Sequence, residues 1–317
     1  MIKYRKSFIV GLKSISISKN EISFLKKYKP WGVILFSRNI KSIEQTQKLI
    51  KKIKSIFYDI NYPILIDQEG GRVSRVEKII NTKTFSANYF ALIYKKNKKN
   101  ISQHLNIYID QICYLLREIG VNINTIPVLD IRRNNTNKVI GDRSFSKNKK
   151  VVSVIGDYCI KFYSQNKIGT VMKHIPGHGL AKKDSHFYTP FVKEKRNILN
   201  NIDFFPFKNK KTFFAMTGHL LYSSIDKKHV ATQSKLIIKK IIREKIKFKD
   251  IIISDDISMK SLKYSLKENI LKCLGAGCNL ILHCNGNMKE MQIVANNVPA
   301  LDKFTVKKTS QFYKFLI

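Results

Sequence analysis

The sequence has 317 residues, of which 44% are hydrophobic, so it can bury a core and is not expected to be disordered. Its formal net charge of +37 raises the possibility of a nucleic-acid or membrane-surface partner. Lysine is scattered through nearly every helical pattern, however, which favours solvated helix faces over a dedicated binding surface.

Short apolar runs alternate with longer amphipathic runs along the chain. Several short runs are nearly continuous in Val, Ile, Leu and Phe, which is typical of strands buried on both faces. The predicted strands are 7–12, 31–36, 63–68, 121–131, 170–175, 213–219, 251–256 and 280–284. Helical patterns lie at 42–58, 102–119, 149–166, 234–247 and 260–276, and a last helix is predicted at about 301–317, packed on the outside.

Eight strands that alternate with helices predict a (β/α)8 TIM-type barrel, with a doubly wound sheet as the competing architecture. Polar residues at the strand ends favour the barrel, because its strand ends converge on one mouth whereas a sheet spreads them along an edge. No internal repeat or linker is apparent, so residues 1–317 are expected to form a single domain. The strand-end residues are Asp67, Asp130, His174, His219 and Asp255.

The segment DQEGGRVSR, residues 67–75, follows a predicted strand, and its two glycines allow a sharp turn. Asp67 can accept hydrogen bonds from paired hydroxyl groups, and Arg75 can donate to a ligand or an acid. The alternative is an ordinary turn in which Asp67 caps a helix. In the later motif GDRSF, Arg143 either binds a ligand or pins its loop to a carboxylate.

The segment KHIPGHGLAKKDSH, residues 173–186, is the most informative one. Lys173 and His174 close a strand, and the Pro and Gly residues that follow predict an irregular loop. Asp184 precedes His186 by two residues, so its carboxylate can fix the tautomer of the imidazole and raise its basicity, as general acid–base catalysis requires. The alternative is a polar loop in which Asp184 caps the next turn.

The segment IIISDDISM places two carboxylates at the end of a buried strand. Adjacent strand residues point to opposite faces, so Asp255 is expected to face the barrel mouth and Asp256 the helical side. A carboxylate at the mouth can act as a nucleophile. Asp256 fits the alternative role, a cap on the following helix.

Together these segments resemble the β-N-acetylhexosaminidases of glycoside hydrolase family three, over residues 32–285. The motifs occur in the order DQEGGRVSR, IPVLDI, GDRSF, KHIPGHG with DSH, AMTGH and SDDISM. The resemblance implies a barrel without metal or cofactor, and retention of configuration through a covalent intermediate. It also implies roles for individual residues: Asp255 as nucleophile, His186 as acid/base, Asp184 as its partner, and Asp67, Arg75, Arg143, Lys173 and His174 as sugar contacts.

Single-domain members of that family act in cell-wall recycling in the cytoplasm, which implies removal of β-linked N-acetylglucosamine (GlcNAc) from muropeptides. The five cysteines include no CxxC pair and lie in apolar runs, as expected in a reducing compartment. The first residues predict a strand rather than a signal peptide, and no apolar stretch is long enough to span a bilayer. We expect a cytoplasmic monomer without a membrane or nucleic-acid partner. Departures from the family pattern occur at Lys260, Ser261 and Asn279, none of them a proposed catalytic position.

Three other functions are compatible with parts of the sequence. A metal-dependent hydrolase would use histidines and a carboxylate as zinc ligands, and a Schiff-base aldolase would use Lys173. A nucleic-acid-binding protein is suggested by the charge alone, and no recognition helix or aromatic RNA platform supports it. The candidate zinc ligands are His174, His178, His186, His219 and Asp255.

Overall fold

The computed structural model describes residues 2–134, 139–185 and 187–317. The strands are β1 (Lys6–Gly11), β2 (Pro30–Leu35), β3 (Ile64–Ile66), β4 (Ile123–Asn124), β5 (Gly169–Ile175), β6 (Phe191–Val192), β7 (Phe214–Thr217), β8 (Leu221–Tyr222), β9 (Ile251–Asp256) and β10 (Leu280–His283). Eight of them close a parallel barrel in the order β1-β10-β9-β7-β5-β4-β3-β2, and β6 pairs with β8. The barrel confirms the predicted fold, since a doubly wound sheet does not close.

The helices surround this barrel. The α-helices are α1 (Lys19–Tyr28), α2 (Ile43–Phe57), α3 (Ala87–Lys96), α4 (Asn100–Ile119), α5 (Lys149–Gln165), α6 (Arg196–Asn201), α7 (Leu266–Ala276), α8 (Met288–Asn297) and α9 (Lys303–Leu316). Short 3₁₀ turns lie at Ile2–Tyr4, Ser37–Asn39, Gly141–Arg143, Phe205–Phe207 and Ala231–Gln233. The helical pattern predicted at 234–247 forms a π-helix over Ile237–Lys245.

The strands are apolar on both faces because each face packs against a different part of the core. In β1, Ile9 belongs to the cluster that fills the barrel interior. Its neighbours Phe8 and Val10 belong to the larger cluster between the barrel and the helices. This alternation with period two explains why the strands read as continuous hydrophobic runs.

The helix predicted at 301–317 covers the amino-terminal end of the barrel instead of lying only against its outer side. Phe312 of α9 is fully buried in the interior cluster, and its ring centroid lies 5.1 Å from that of Phe214 at the start of β7. The indole nitrogen of Trp31, in β2, donates to the Thr309 hydroxyl over 2.9 Å. The opposite, carboxyl-terminal end of the barrel carries the long loops that follow β3, β4, β5 and β9.

All five cysteines are free thiols, and four of them are buried. Over the described residues, no helix combines the length and the apolar character that a bilayer crossing needs.

Candidate active site

Two barrel strands end with an irregularity that turns consecutive side chains toward one cavity. The pairing of β5 with β7 shifts after Lys173, and the pairing of β9 with β10 shifts before Asp256. An extra residue interrupts the alternation of a strand. Both members of each pair, Lys173–His174 and Asp255–Asp256, therefore line the cavity. The expectation that Asp255 and Asp256 face opposite sides was wrong.

This cavity, of about 140 Å³, lies at the carboxyl-terminal ends of the strands. It brings together six of the residues predicted for the site: Asp67, Arg75, Arg143, Lys173, His174 and Asp255. It also includes residues to which the sequence assigned no role, among them Thr125, Ser185, Met216 and Cys284.

Asp67 lies at the centre of a network of ions in this cavity. One of its carboxylate oxygens accepts from Arg75 over 2.6 Å, and the other accepts from the Thr125 hydroxyl over 2.7 Å and from the Lys173 ammonium. Burial opposes ionisation of this carboxyl, but Lys173, Arg75 and Arg143 hold its pKa well below the usual value. Asp67 is therefore a charged acceptor at neutral pH.

Glu69 is the member of the network that sequence reasoning missed. Its two oxygens accept from Arg143 over 2.7 and 2.8 Å, and it lies 2.6 Å from the Lys173 ammonium. Burial disfavours its charge, yet Arg143 and Lys173 lower its pKa overall. A signal was available: three cations predicted around a single aspartate required a further buried acid.

The loop after β3 is held in shape by Gln68, which is almost fully buried. Its side-chain oxygen accepts from the backbone amides of Arg75 and Val76 over 2.7 and 3.3 Å. Gly70 and Gly71 adopt φ angles of 85° and 59°, which favour glycine, so the chain reverses here. This turn brings Arg75 back to Asp67.

Asp130, buried completely, orients two histidines. It accepts from His174 Nδ1 over 2.7 Å and from the backbone amide of His178 over 2.5 Å. Burial raises the pKa of Asp130, but both histidines lower it overall, so the group is a carboxylate. His174 must donate through Nδ1, which leaves Nε2 available to a ligand.

Asp255 is an ionised carboxylate despite its burial. Burial raises its pKa, but the rings of His174 and His219 and the backbone amide of Asp256 lower it overall. That amide donates to Asp255 over 2.8 Å. Asp256 is held differently: its carboxylate accepts from the backbone and hydroxyl of Ser258 over 3.1 and 2.8 Å, so it fastens the strand end.

His219 fixes the backbone that follows Asp255. Its Nε2 lies 3.1 Å from the carbonyl oxygen of Asp256, and its Nδ1 lies 2.8 Å from the Thr232 hydroxyl. Burial lowers the pKa of His219, so the ring is neutral. A carbonyl can only accept, so Nε2 donates to Asp256 and Nδ1 accepts from Thr232.

The loop after β5 is anchored by His178. Burial, and then the ring of His174, lower the pKa of His178 to about 4, so it is neutral near pH 7, and its Nε2 lies 3.0 Å from the Ser185 hydroxyl. Asp184 is half-buried, and its carbonyl accepts from two following amides. His186, the predicted acid/base, lies outside the described residues.

Comparison with known proteins decides the family. The model of the glycosyl hydrolase family 3 N-terminal domain matches residues 7–310. The chain belongs to this family. A beta-hexosaminidase of Actinobacillus pleuropneumoniae is 31% identical over 289 residues, which cover 87% of this chain and 80% of that protein. A beta-hexosaminidase of Haemophilus influenzae is 30% identical over 298 residues, which cover 92% of this chain and 82% of that protein.

The fold of this family 3 glycoside hydrolase is close to solved structures. NagZ of Neisseria gonorrhoeae in complex with N-trifluoroacetyl-D-glucosamine superposes with a TM-score of 0.88 at 26% identity, over 98% of this chain and 90% of that one. Where side chains of the family 3 enzyme are described, no group of three or more His, Cys, Asp or Glu is placed to hold a metal ion.

Replacing Glu69 by glutamine tests the ion network, because the amide keeps the shape and removes the charge. We expect the free energy of unfolding at pH 7 to fall by about 3–5 kcal/mol, since buried Arg143 loses its carboxylate partner and Lys173 loses one of its two. The lowered pKa of Glu69 means that its contribution is complete above the pKa of an unfolded glutamate, about 4.3. It is then lost as the pH falls through the folded value.

Urea unfolding at pH 7, 5, 4 and 3 measures this difference. The difference in the free energy of unfolding between the wild type and Glu69→Gln should become smaller below about pH 4. Glu77→Gln is the control, because Glu77 is exposed in the same loop. A Glu69→Gln protein as stable as the control, or a gap that does not vary with pH, would contradict the account.

Proposed function

We propose that the chain is a retaining β-N-acetylglucosaminidase that removes terminal β-linked GlcNAc from muropeptides. The observation that carries this proposal is Asp255, an ionised, half-buried carboxylate in the cavity, whose charge is stabilised by the rings of His174 and His219. The names of the relatives, beta-hexosaminidases, and the N-acylated glucosamine bound to the similar Neisseria structure support the choice of sugar.

In the proposed reaction, the Asp255 carboxylate attacks the anomeric carbon and the glycosidic bond breaks. The departing oxygen takes a proton from the protonated imidazole of His186, which becomes neutral, and a covalent glycosyl-enzyme remains. Water then attacks the same carbon, gives a proton back to His186 and releases Asp255. Two displacements at one carbon retain the configuration.

His186 departs from the pair of carboxylates that most retaining enzymes use. An imidazole is never negatively charged, whether it is protonated or neutral, so it does not repel the Asp255 carboxylate, whereas a second ionised carboxylate would. We propose Asp184 as the partner that orients this imidazole. Half-burial of Asp184 and its position two residues earlier support that role.

The remaining polar groups of the cavity are proposed to hold the sugar that is released. Asp67 supplies charged acceptors, and Lys173 with Arg75 supplies donors, so adjacent hydroxyls can be bound in pairs. His174 offers its free Nε2, and Arg143 is held rigidly by Glu69. Each of these side chains is fixed before the substrate arrives, which lowers the entropic cost of binding.

We also propose that the enzyme works as a monomer in the cytoplasm, on wall fragments that return to the cell. Five free thiols suit a reducing compartment. The net charge of +37 would attract fragments that carry carboxylates. The proposal needs no metal or other cofactor.

The first test compares an aryl β-N-acetylglucosaminide with the matching aryl β-glucoside. We expect kcat/KM to be at least about 100-fold higher for the first, because a site built to bind a polar substituent rejects the analogue that lacks it. Purified Asp255→Asn is the control, and it should lose both activities if neither comes from a contaminant. Equal rates on the two substrates would refute the specificity.

The second test concerns His186. We expect His186→Ala to lose about 10²–10⁴-fold in rate on substrates with poor leaving groups, because general acid assistance is lost. With a 2,4-dinitrophenyl glycoside, the rate of the first displacement should fall much less, since this leaving group needs no proton. Azide should then speed release of the glycosyl-enzyme, because it attacks without a general base.

Asp184→Asn is the matched variant, and it should show the same pattern with a smaller loss. The same loss for every leaving group, with no azide rescue, would assign the acid/base to another residue.

A further inference from the structure

The loop after β2 carries an aromatic ring that contacts two arginines beside the cavity. Phe36 lines the cavity and is half-buried. The guanidinium carbon of Arg75 lies 5.2 Å from the ring centre of Phe36, and that of Arg38 lies 4.7 Å from it. Both guanidiniums are close enough for cation–π attraction. Neither Phe36 nor Arg38 has a role in the reaction described above.

We propose that Phe36 is a positioning residue: its ring holds the guanidinium of Arg75 beside Asp67, in the geometry that binds the GlcNAc unit. Arg38 in turn holds the ring. This inference rests on the proposed function, in which Arg75 and Asp67 bind adjacent hydroxyls of that sugar. Phe36 acts on the substrate through Arg75.

Arg75 needs such a support because its hydrogen bonds leave it partly free. One terminal nitrogen donates to Asp67 over 2.6 Å. Its Nε is buried and has no hydrogen-bond partner within the part of the chain that the structure describes. One hydrogen bond leaves the plane of a guanidinium able to tilt, whereas contact with an aromatic face restricts that tilt. The ring of Phe36 therefore supplies a second point of attachment.

The backbone of Phe36 is itself fixed by a buried side chain of the same loop. Its amide donates to the side-chain oxygen of Asn39 over 3.0 Å. Asn39 is fully buried, and its side-chain nitrogen donates to the carbonyl oxygens of Leu12 and Ser14 over 3.0 and 2.8 Å. The start of the loop after β2 is therefore fastened to the loop after β1.

Arg38 is fastened to the ends of two other strands. Its Nε donates to the carbonyl oxygen of Leu12, after β1, over 2.9 Å, and a terminal nitrogen donates to the carbonyl oxygen of Cys284, after β10. Gly11 leaves room for this side chain, since a Cβ atom there would lie 2.9 Å from a terminal nitrogen of Arg38. The guanidinium that contacts Phe36 is thus held by rigid backbone.

A direct role for Phe36, as an apolar wall for the sugar, is the competing explanation. The positioning role gains support from a link between the two loops. The Ser37 hydroxyl donates over 3.3 Å to the carbonyl oxygen of Ser74, the residue before Arg75. Ring and guanidinium are therefore carried by loops that are joined to each other. The two roles predict different results when both residues are substituted.

The test measures kcat and KM for an aryl β-N-acetylglucosaminide. Phe36→Leu removes the aromatic face and keeps an apolar side chain. KM should rise about 3–10-fold while kcat changes less than about 2-fold, because hydroxyl contacts of Arg75 and Asp67 act in ground state and transition state alike. Phe36→Tyr should restore KM. Arg38→Met should raise KM by only about 2-fold, since the ring keeps its contact with Arg75.

Double substitution separates positioning from direct contact with the sugar. In an Arg75→Gln background, Phe36→Leu should raise KM no further, because the group that the ring positions is gone. Losses that multiply would show that Phe36 acts independently of Arg75, and would overturn the inference. A fall in kcat as large as the rise in KM would indicate a displaced loop and would overturn it as well.

The matched control is an arginine–phenylalanine contact at the opposite end of the barrel. The guanidinium carbon of Arg243 lies 5.8 Å from the ring centre of Phe248, a buried residue that precedes β9. Phe248→Leu should lower the thermal stability and leave kcat and KM unchanged. A rise in KM equal to that of Phe36→Leu would attribute both effects to lost stability, against the inference.

NMR of the arginine side chains separates this inference from the proposed function. The Nε–H signal of Arg75, assigned by its loss in Arg75→Gln, should carry a ring-current shift that disappears in Phe36→Leu and remains in Phe36→Tyr. With that shift and no hydrolysis of any GlcNAc substrate, the proposed function fails and the positioning of Arg75 stands. Hydrolysis without the shift, and with an unchanged KM in Phe36→Leu, would refute the positioning alone.

Discussion

The buried pairing of Asp67 and Glu69 with Lys173 and Arg143 is the constraint on which the site depends. Isolated charges could not remain ionised in this cavity, because desolvation costs several kcal/mol for each ion. Paired, they keep their charge, and the pKa values of both acids are lowered. The network also joins the loops after β3 and β4 to β5. The same ion pairs therefore fix both the four charged side chains and the loops that carry them.

Strand irregularity is the second device that builds the site. A regular strand offers every second side chain to the barrel interior. The register shift in each of β5 and β9 places two consecutive residues at the mouth, so Asp255 and Asp256 both line the cavity, and Asp256 also fastens the strand end through Ser258. The neutral His219 then fixes the carbonyl of Asp256, in the peptide that follows the two aspartates.

Much of this arrangement could be predicted from the sequence, because strand ends in a closed barrel converge. That rule alone brought Asp67, Lys173 and Asp255 to one mouth. It did not reveal Glu69, whose partner Arg143 comes from a loop 74 residues away in the chain; only the excess of predicted cations around Asp67 indicated a second acid. Nor could it reveal the shared face of Asp255 and Asp256, since a bulge has no clear signal in an apolar strand.

The central claim is that Asp255 is the nucleophile of a retaining hydrolase. The most direct measurement is mass spectrometry of the protein after reaction with a fluorinated aryl glycoside that slows the second displacement. The account predicts one glycosyl adduct per chain, located on Asp255 by peptide mapping and absent from Asp255→Asn. An adduct on Asp256 or Asp67, or turnover without any adduct, would contradict it.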